Sequence, residues 1–226
     1  DRDPAKALDG ADVAVLAAPV PGILELLNGL PALMPGGCIV LDIGSSKRVI
    51  VDAMGRLPER FDPIGGHPLC GKEKLSFENA DAGLYQGALF LLTPLERTTD
   101  RALSAAHQII EAIGANPICL DAARHDRMLA STSHMPYLLS SALALAAPRE
   151  CAPLAGPGFR STSRLAGTPS SMMLGVLQTN RDNVLDAVHS LQKQLASIES
   201  LLASEDLAQL ETVLNEAQSR YQELVQ

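Results

Sequence analysis

At 226 residues the chain is long enough for two modest domains and a sizeable core. A net charge of −8 offers no basic face for nucleic acid or anionic lipid, and no apolar run approaches the roughly 18 residues of a membrane span. The four cysteines (Cys38, Cys70, Cys119 and Cys151) have neither metal nor redox spacing, and no signal peptide is visible, which suits reduced thiols in a cytoplasmic protein.

In chain order, Val13 to Ala18 reads as a buried strand closed by Pro19-Val20-Pro21-Gly22, with a helix from Ile23 to Leu33. Cys38 to Ile43 is a second apolar strand. Gly44 breaks it, and Ser45 or Ser46 is placed to cap a helix from about Lys47 to Met54. A third strand, Phe61 to Ile64, ends in Gly65-Gly66 and delivers His67; two glycines let a bulky group approach the backbone. Lys72 to Gln86 is polar and irregular. Ala88 to Leu92 and Pro117 to Leu120 are further strands, separated by a helix from Ala102 to Ile113. Alternating strands and helices with short connections predict a parallel sheet with helices on both faces.

From Asp121 the pattern turns helical. Arg124 to Ala146 reads as one long helix, kinked at Pro136 because proline cannot donate to the carbonyl of Thr132. Ser170 or Ser171 is placed to cap a helix through Gln178. Two apolar stripes, Val184 to Leu202 and Leu207 to Leu224, flank Ser204-Glu205-Asp206 and predict an antiparallel hairpin suited to subunit pairing. The fold class expected is therefore α/β, a partial Rossmann-type parallel sheet over residues 1–121, followed by an all-helical domain over residues 122–226.

The carboxyl edge of such a sheet is where ligands bind, and there the chain puts Ser45 beside His67, whose imidazole titrates near neutral pH. Lys47 reads as solvated. His125, Asp126 and His134 invite a metal, but nine residues at 100° each set the two histidines on opposite helix faces, so no metal is expected. His134 lies two residues before the kink, in reach of a ligand. Cys70 has no orienting partner and reads as a small buried hydrophobe. Arg160 and Arg164, four apart after a glycine loop, offer guanidinium groups for carboxylates.

Four segments, in order and register, give the chain its resemblance to a known family: Asp42-Ile43-Gly44-Ser45-Ser46-Lys47; Gly65-Gly66-His67-Pro68-Leu69-Cys70-Gly71-Lys72-Glu73; Ser133-His134-Met135-Pro136; and Gly158-Phe159-Arg160-Ser161-Thr162-Ser163-Arg164. They resemble the prephenate and arogenate dehydrogenases of tyrosine biosynthesis across nearly the whole chain. The resemblance implies His67 as the base and Ser45 as its catalytic partner on the substrate hydroxyl. It implies Arg164, His134 and Glu73 as substrate-binding residues, and Pro19, Gly44 and Ser45 as contacts for NAD or NADP. A small-molecule substrate and a homodimer through the helical half follow from it. Tyr137 departs from the pattern, standing where many members have a second histidine.

The Gly-x-Gly-x-x-Gly turn that normally opens a dinucleotide-binding sheet is missing from the sequence. With βαβ units of about 30 residues, roughly 60 residues are expected ahead of Asp1. Two other readings stay open: another nicotinamide-dependent hydroxy-acid dehydrogenase, and a non-catalytic dimerisation or regulatory fragment.

Overall fold

Five short apolar segments become strands: β1 (Val13–Leu16), β2 (Ile39–Asp42), β3 (Asp62–Pro68), β4 (Leu89–Pro94) and β5 (Asn116–Cys119). They form one sheet in sequence order. The structure, a computed structural model, describes residues 3–71 and 77–225.

β1, β2 and β3 run parallel, as do β4 and β5. The two blocks meet antiparallel at β3 and β4, where Gly65 faces Thr93 and His67 faces Leu91. The expected parallel sheet is thus present within each block and reversed between them. That reversal also lengthens β3. It was expected to stop at Ile64, but the antiparallel partner continues it through Gly65, Gly66 and His67 to Pro68.

Side chains on β2 alternate as strand geometry requires. Val40 joins one core with Ile23, Leu27 and Leu30 of α2 (Val20–Leu33) and Ile50 and Met54 of α3 (Arg48–Gly55). Ile39 and Leu41 join a second core with Ala102, Ala106 and Ile110 of α4 (Asp100–Ala112). Alanines on that face let α4 lie close to the sheet. A five-residue helix α1 (Pro4–Leu8) precedes β1, capped by Asp3.

The predicted long helix is divided into α5 (Ala122–Leu129), a π-helical turn at Ala130–His134, and α6 (Met135–Ala146). Pro136 falls in the first turn of α6, where a missing N–H is tolerated, and the irregularity expected of it appears as this π turn. α7 (Pro157–Ser163) and α8 (Ser170–Thr179) follow; α8 has no side-chain cap, so neither Ser170 nor Ser171 plays the expected part.

The chain divides into two compact units, residues 1–184 and 185–226. The division falls inside α9 (Arg181–Ala203), which leads to α10 (Leu207–Val225). Between these helices Glu205 adopts a left-handed φ of 55°. Its N–H donates to Leu202 O and that of Asp206 to Leu201 O, the paired bonds of a Schellman turn. The cap of α10 is Asp206, whose Oδ1 accepts from Gln209 N at 3.0 Å. No described residue of α10 is buried, and Leu207, Leu214, Tyr221 and Leu224 are all more than half exposed.

Gly65 and Gly66 do not open the backbone to a ligand. An added Cβ at Gly65 would lie 2.0 Å from Thr93 Oγ1, and one at Gly66 would lie 2.7 Å from Asp42 O. Gly65→Ala should therefore lower unfolding stability by about 1–3 kcal/mol in urea titrations. Gly55→Ala, whose Cβ would meet nothing nearer than Leu95 Cδ2 at 3.9 Å, should be neutral or stabilising by about 0.5–1 kcal/mol. Equal effects at the two positions would refute the packing role.

Candidate active site

The site starts from a buried clamp where β2 turns into α3. Asp42 Oδ2 accepts from Gly44 N at 2.9 Å, and Oδ1 accepts from Gly66 N at 3.2 Å. Lys47 Nζ donates both to the Asp42 carboxylate and to the Gly66 carbonyl. Lys47 is fully buried, the opposite of the solvated residue expected. Burial pushes the Asp42 carboxyl up and the Lys47 amine down, and the pairing with its N–H donors opposes both movements. The clamp fixes the β3 backbone directly before His67.

No serine caps α3. Its first N–H groups go to Asp126 of α5: Lys47 N donates to Oδ1 at 2.7 Å and Arg48 N to Oδ2 at 3.0 Å. A carboxylate at a helix N-terminus is doubly favoured, by hydrogen bonds and by the helix dipole. Burial pushes this carboxyl up, but the His125 ring and the two backbone donors outweigh it and hold Asp126 below the usual carboxylate range. Ser46 instead pairs with Thr179, Oγ to Oγ1 at 2.8 Å.

Asp126 also organises the histidines. Its Oδ1 lies 2.8 Å from His125 Nδ1, and His125 Nε2 lies 2.9 Å from His67 Nδ1. An ionised carboxylate only accepts, so His125 carries its proton on Nδ1. With that proton on Nδ1, the other His125 ring nitrogen, Nε2, accepts from His67 Nδ1–H. That leaves the lone pair of His67 on Nε2. Burial first, then His125, Lys47 and His134, lower the His67 pKa well below its ordinary value, so the ring is neutral at physiological pH. A neutral imidazole with a defined acceptor nitrogen is what a general base requires.

His67 opens on a cavity of about 590 Å³ in the unit of residues 1–184. Ser45, His67 and Cys70 line it from the sheet, and His134, Arg164 and Thr168 from the helices, over an apolar wall that includes Leu129, Leu165 and Met172. Expected site residues Ser45, His67, His134 and Arg164 thus share one cavity. Arg160 does not line it; its Nε donates to Ala155 O at 3.0 Å. Pro19 is exposed at the start of α2, away from the cavity wall. Gly44 is buried, with Ile23 and Ile50 each 2.8 Å from where a Cβ would sit, so it packs rather than opens to a ligand. Glu73 lies outside the described residues. Burial pushes the Cys70 thiol up, in keeping with an inert thiol.

His125 and His134, placed on opposite faces by ideal helix geometry, are both buried around His67. The π turn between them inserts a residue and changes the rotation. The sequence marks Lys47 only as solvated and His125 and Asp126 only as ligands of a metal that is not expected, and it does not mark Asn180 at all. The available signals were an aspartate and a lysine bracketing the β2–α3 turn, and an adjacent His-Asp pair on an amphipathic helix.

Two family models match the chain. One, described as the nucleotide-binding domain of prephenate dehydrogenase, covers residues 1–119, and the other, its dimerization domain, covers residues 121–216. A prephenate dehydrogenase of Lactococcus lactis subsp. cremoris is 30% identical over 220 residues, 93% of this chain. The chain spans 60% of the length of that relative. Among solved structures, the prephenate dehydrogenase of A. aeolicus in complex with hydroxyphenyl propionate and NAD+ superposes with a TM-score of 0.88 at 27% identity, covering 99% of this chain and 80% of that one. Synechocystis arogenate dehydrogenase gives 0.84 at 26% identity, covering 100% and 83%.

Neutral buried histidines make the fold acid-sensitive. Burial lowers His134 from 6.5 to about 4, with Asp126 opposing and His125 adding to the fall. As pH drops, the unfolded chain binds the proton first. Stability is therefore full above about pH 6.5 and is lost, at up to about 1.4 kcal/mol per pH unit, until the folded ring protonates near 4. His67 adds a loss of the same sign. Urea midpoints of the native protein should fall between about pH 7 and 4.5, and His134→Gln should flatten part of that slope; parallel curves would refute the assignment.

Proposed function

The chain belongs to the prephenate dehydrogenase family through both of its parts, and from that premise we propose that it performs the NAD(P)-dependent oxidative decarboxylation of prephenate or arogenate in tyrosine biosynthesis. The observation that carries this reading is the Asp126–His125–His67 array opening on the cavity that Arg164 lines.

Such a substrate has a ring hydroxyl, a ring carboxylate and a side-chain carboxylate. His67 Nε2 takes the hydroxyl proton while the hydrogen on the same carbon leaves with its electron pair. Ser45 holds that hydroxyl against the imidazole. The ketone so formed draws the electrons of the ring C–CO₂⁻ bond, carbon dioxide departs, and the resulting phenolate oxygen takes the proton back from His67, leaving a phenol and a neutral imidazole. Positive charge arriving on His67 is shared through His125 with Asp126, which is already ionised. Arg164 pairs a substrate carboxylate and orients the ring.

A nicotinamide dinucleotide, when bound, supplies the hydride acceptor. α2 is a 14-residue helix whose N-terminus, at Pro19, has no side-chain cap and stands at the carboxyl edge of the parallel block; with Pro19 and Pro21 lacking an N–H, the groups it would offer a phosphate are those of Val20 and Gly22. Ser45 would face the nicotinamide from the end of β2. The four cysteines are free, in keeping with a cytoplasmic protein.

Assay of the protein with prephenate and with arogenate, each with NAD+ and NADP+, should release reduced nicotinamide and carbon dioxide in equal amounts for at least one pair. No turnover with any of the four would count against the reading. His67→Asn should lower kcat by about 100-fold or more with KM little changed, since a positioned base acts in the transition state. Arg164→Lys should do the reverse, raising KM by roughly 10- to 150-fold, because a bidentate carboxylate partner is lost in ground and transition states alike. If both substitutions fell on the same parameter, one of the two roles would be wrong.

We also assign a homodimer to the helical half, supported by the uncovered apolar residues of α9 and α10, including Leu195, Leu202, Leu207 and Leu214. Light scattering at micromolar concentration should give twice the monomer mass. A monomer would rule this assembly out.

A further inference from the structure

Asn180 has no part in the reaction as proposed, yet it is 1% exposed at the end of α8 and bonded to two groups of the site. Proton bookkeeping fixes its orientation. The Asp126 carbonyl only accepts, so the amide atom 2.7 Å from it is Nδ2. The amide oxygen is taken by Asn183 Nδ2 at 2.7 Å. The second hydrogen on Asn180 Nδ2 then points to His134 Nδ1, 3.1 Å away, which must offer a lone pair. A neutral imidazole has one N–H, so that of His134 is on Nε2. Burial keeps the ring neutral, with its pKa near 4. His134 lines the cavity, and its Nε2 has no hydrogen-bond partner among the described residues.

We propose that Asn180 is a positioning residue that holds His134 as a neutral Nε2–H donor to an anionic oxygen of the substrate. The two cavity histidines are thereby given opposite characters: His67 accepts at Nε2 because His125 accepts from its Nδ1–H, and His134 donates at Nε2 because Asn180 donates to its Nδ1. That the oxygen belongs to a substrate carboxylate rests on the dehydrogenase reading. The tautomer itself does not.

The first test needs no variant. Nitrogen-15 NMR of the ring nitrogens in the intact protein at neutral pH should show a pyridine-type Nδ1 and a pyrrole-type Nε2 for His134; the inverse pattern overturns the proposal. The second uses Asn180→Asp, which offers Nδ1 an acceptor and draws the proton to it. With Asp126, His125, His67 and Arg164 still facing the ring, raising the pH should strip Nε2 of its proton. KM should climb by about tenfold or more toward alkaline pH while kcat moves less. Adding His134→Gln, whose amide N–H₂ replaces the Nε2–H and cannot change tautomer, should abolish that climb. A pH-independent KM in Asn180→Asp, or a climb that survives His134→Gln, overturns the proposal. An inverted tautomer in an active dehydrogenase would sink this inference alone. The expected tautomer in a protein without dehydrogenase activity would sink the functional reading and leave Asn180's role standing.

Discussion

One carboxylate, that of Asp126, joins the sheet to the helices that complete the cavity. It accepts the first N–H groups of α3 and the Nδ1–H of His125, and its residue's own carbonyl accepts from Asn180. Taking a charge out of water is expensive, and it is tolerated only when the ion's lone pairs are met by well-placed donors. Here they are met by donors from the sheet side and from the helical side, so the ion is satisfied only when α3 and α5 are docked. The same three donors that stabilise the anion therefore set the position of the base. Loss of Asp126 would leave a helix end, a histidine tautomer and a domain contact unsupported together.

The Asp42–Lys47 pair works on a neighbouring problem. β3 has to bring His67 to the carboxyl edge through two glycines, residues that bring backbone freedom but no side chain. Lys47 supplies what they lack, by gripping the Gly66 carbonyl while Asp42 takes the Gly66 N–H. Steric contact does the rest, since the space over Gly65 and Gly66 is already filled by Thr93, Phe90 and the β2 backbone. The preorganisation of the histidine thus comes from charge burial and close packing outside the cavity, where neither interferes with a ligand.

Periodicity and breakers made much of this legible. The strands and most helices fall within a few residues of where Val, Ile, Leu and Gly place them, because those signals are local. Ser45, His67, His134 and Arg164 were found by motif and by their position at strand or helix ends. What escaped was long-range: Asp126 reaches α3 across 78 positions and His125 reaches His67 across 58, and nothing in a local window marks such partners. The burial of Lys47 is hidden for the same reason, its counter-ion being close in sequence but its burial decided by β3 packing above it. The strand reversal at β4 was equally hidden, since a parallel and an antiparallel buried strand have the same apolar run.

The π turn at Ala130–His134 has a bearing on how this segment can change over time. Such a turn holds one more residue than an α-helical one, so the stretch between His125 and His134 is defined by its length as much as by its composition. Removing a single residue there would restore an ordinary helix with better hydrogen bonding, and would rotate everything beyond it by about 100°. His134 would then leave the cavity. Apart from His134 itself, substitutions along this turn face only the usual limits of packing, whereas insertions and deletions are closed to it, so drift in this stretch must proceed by exchange of residues at constant count.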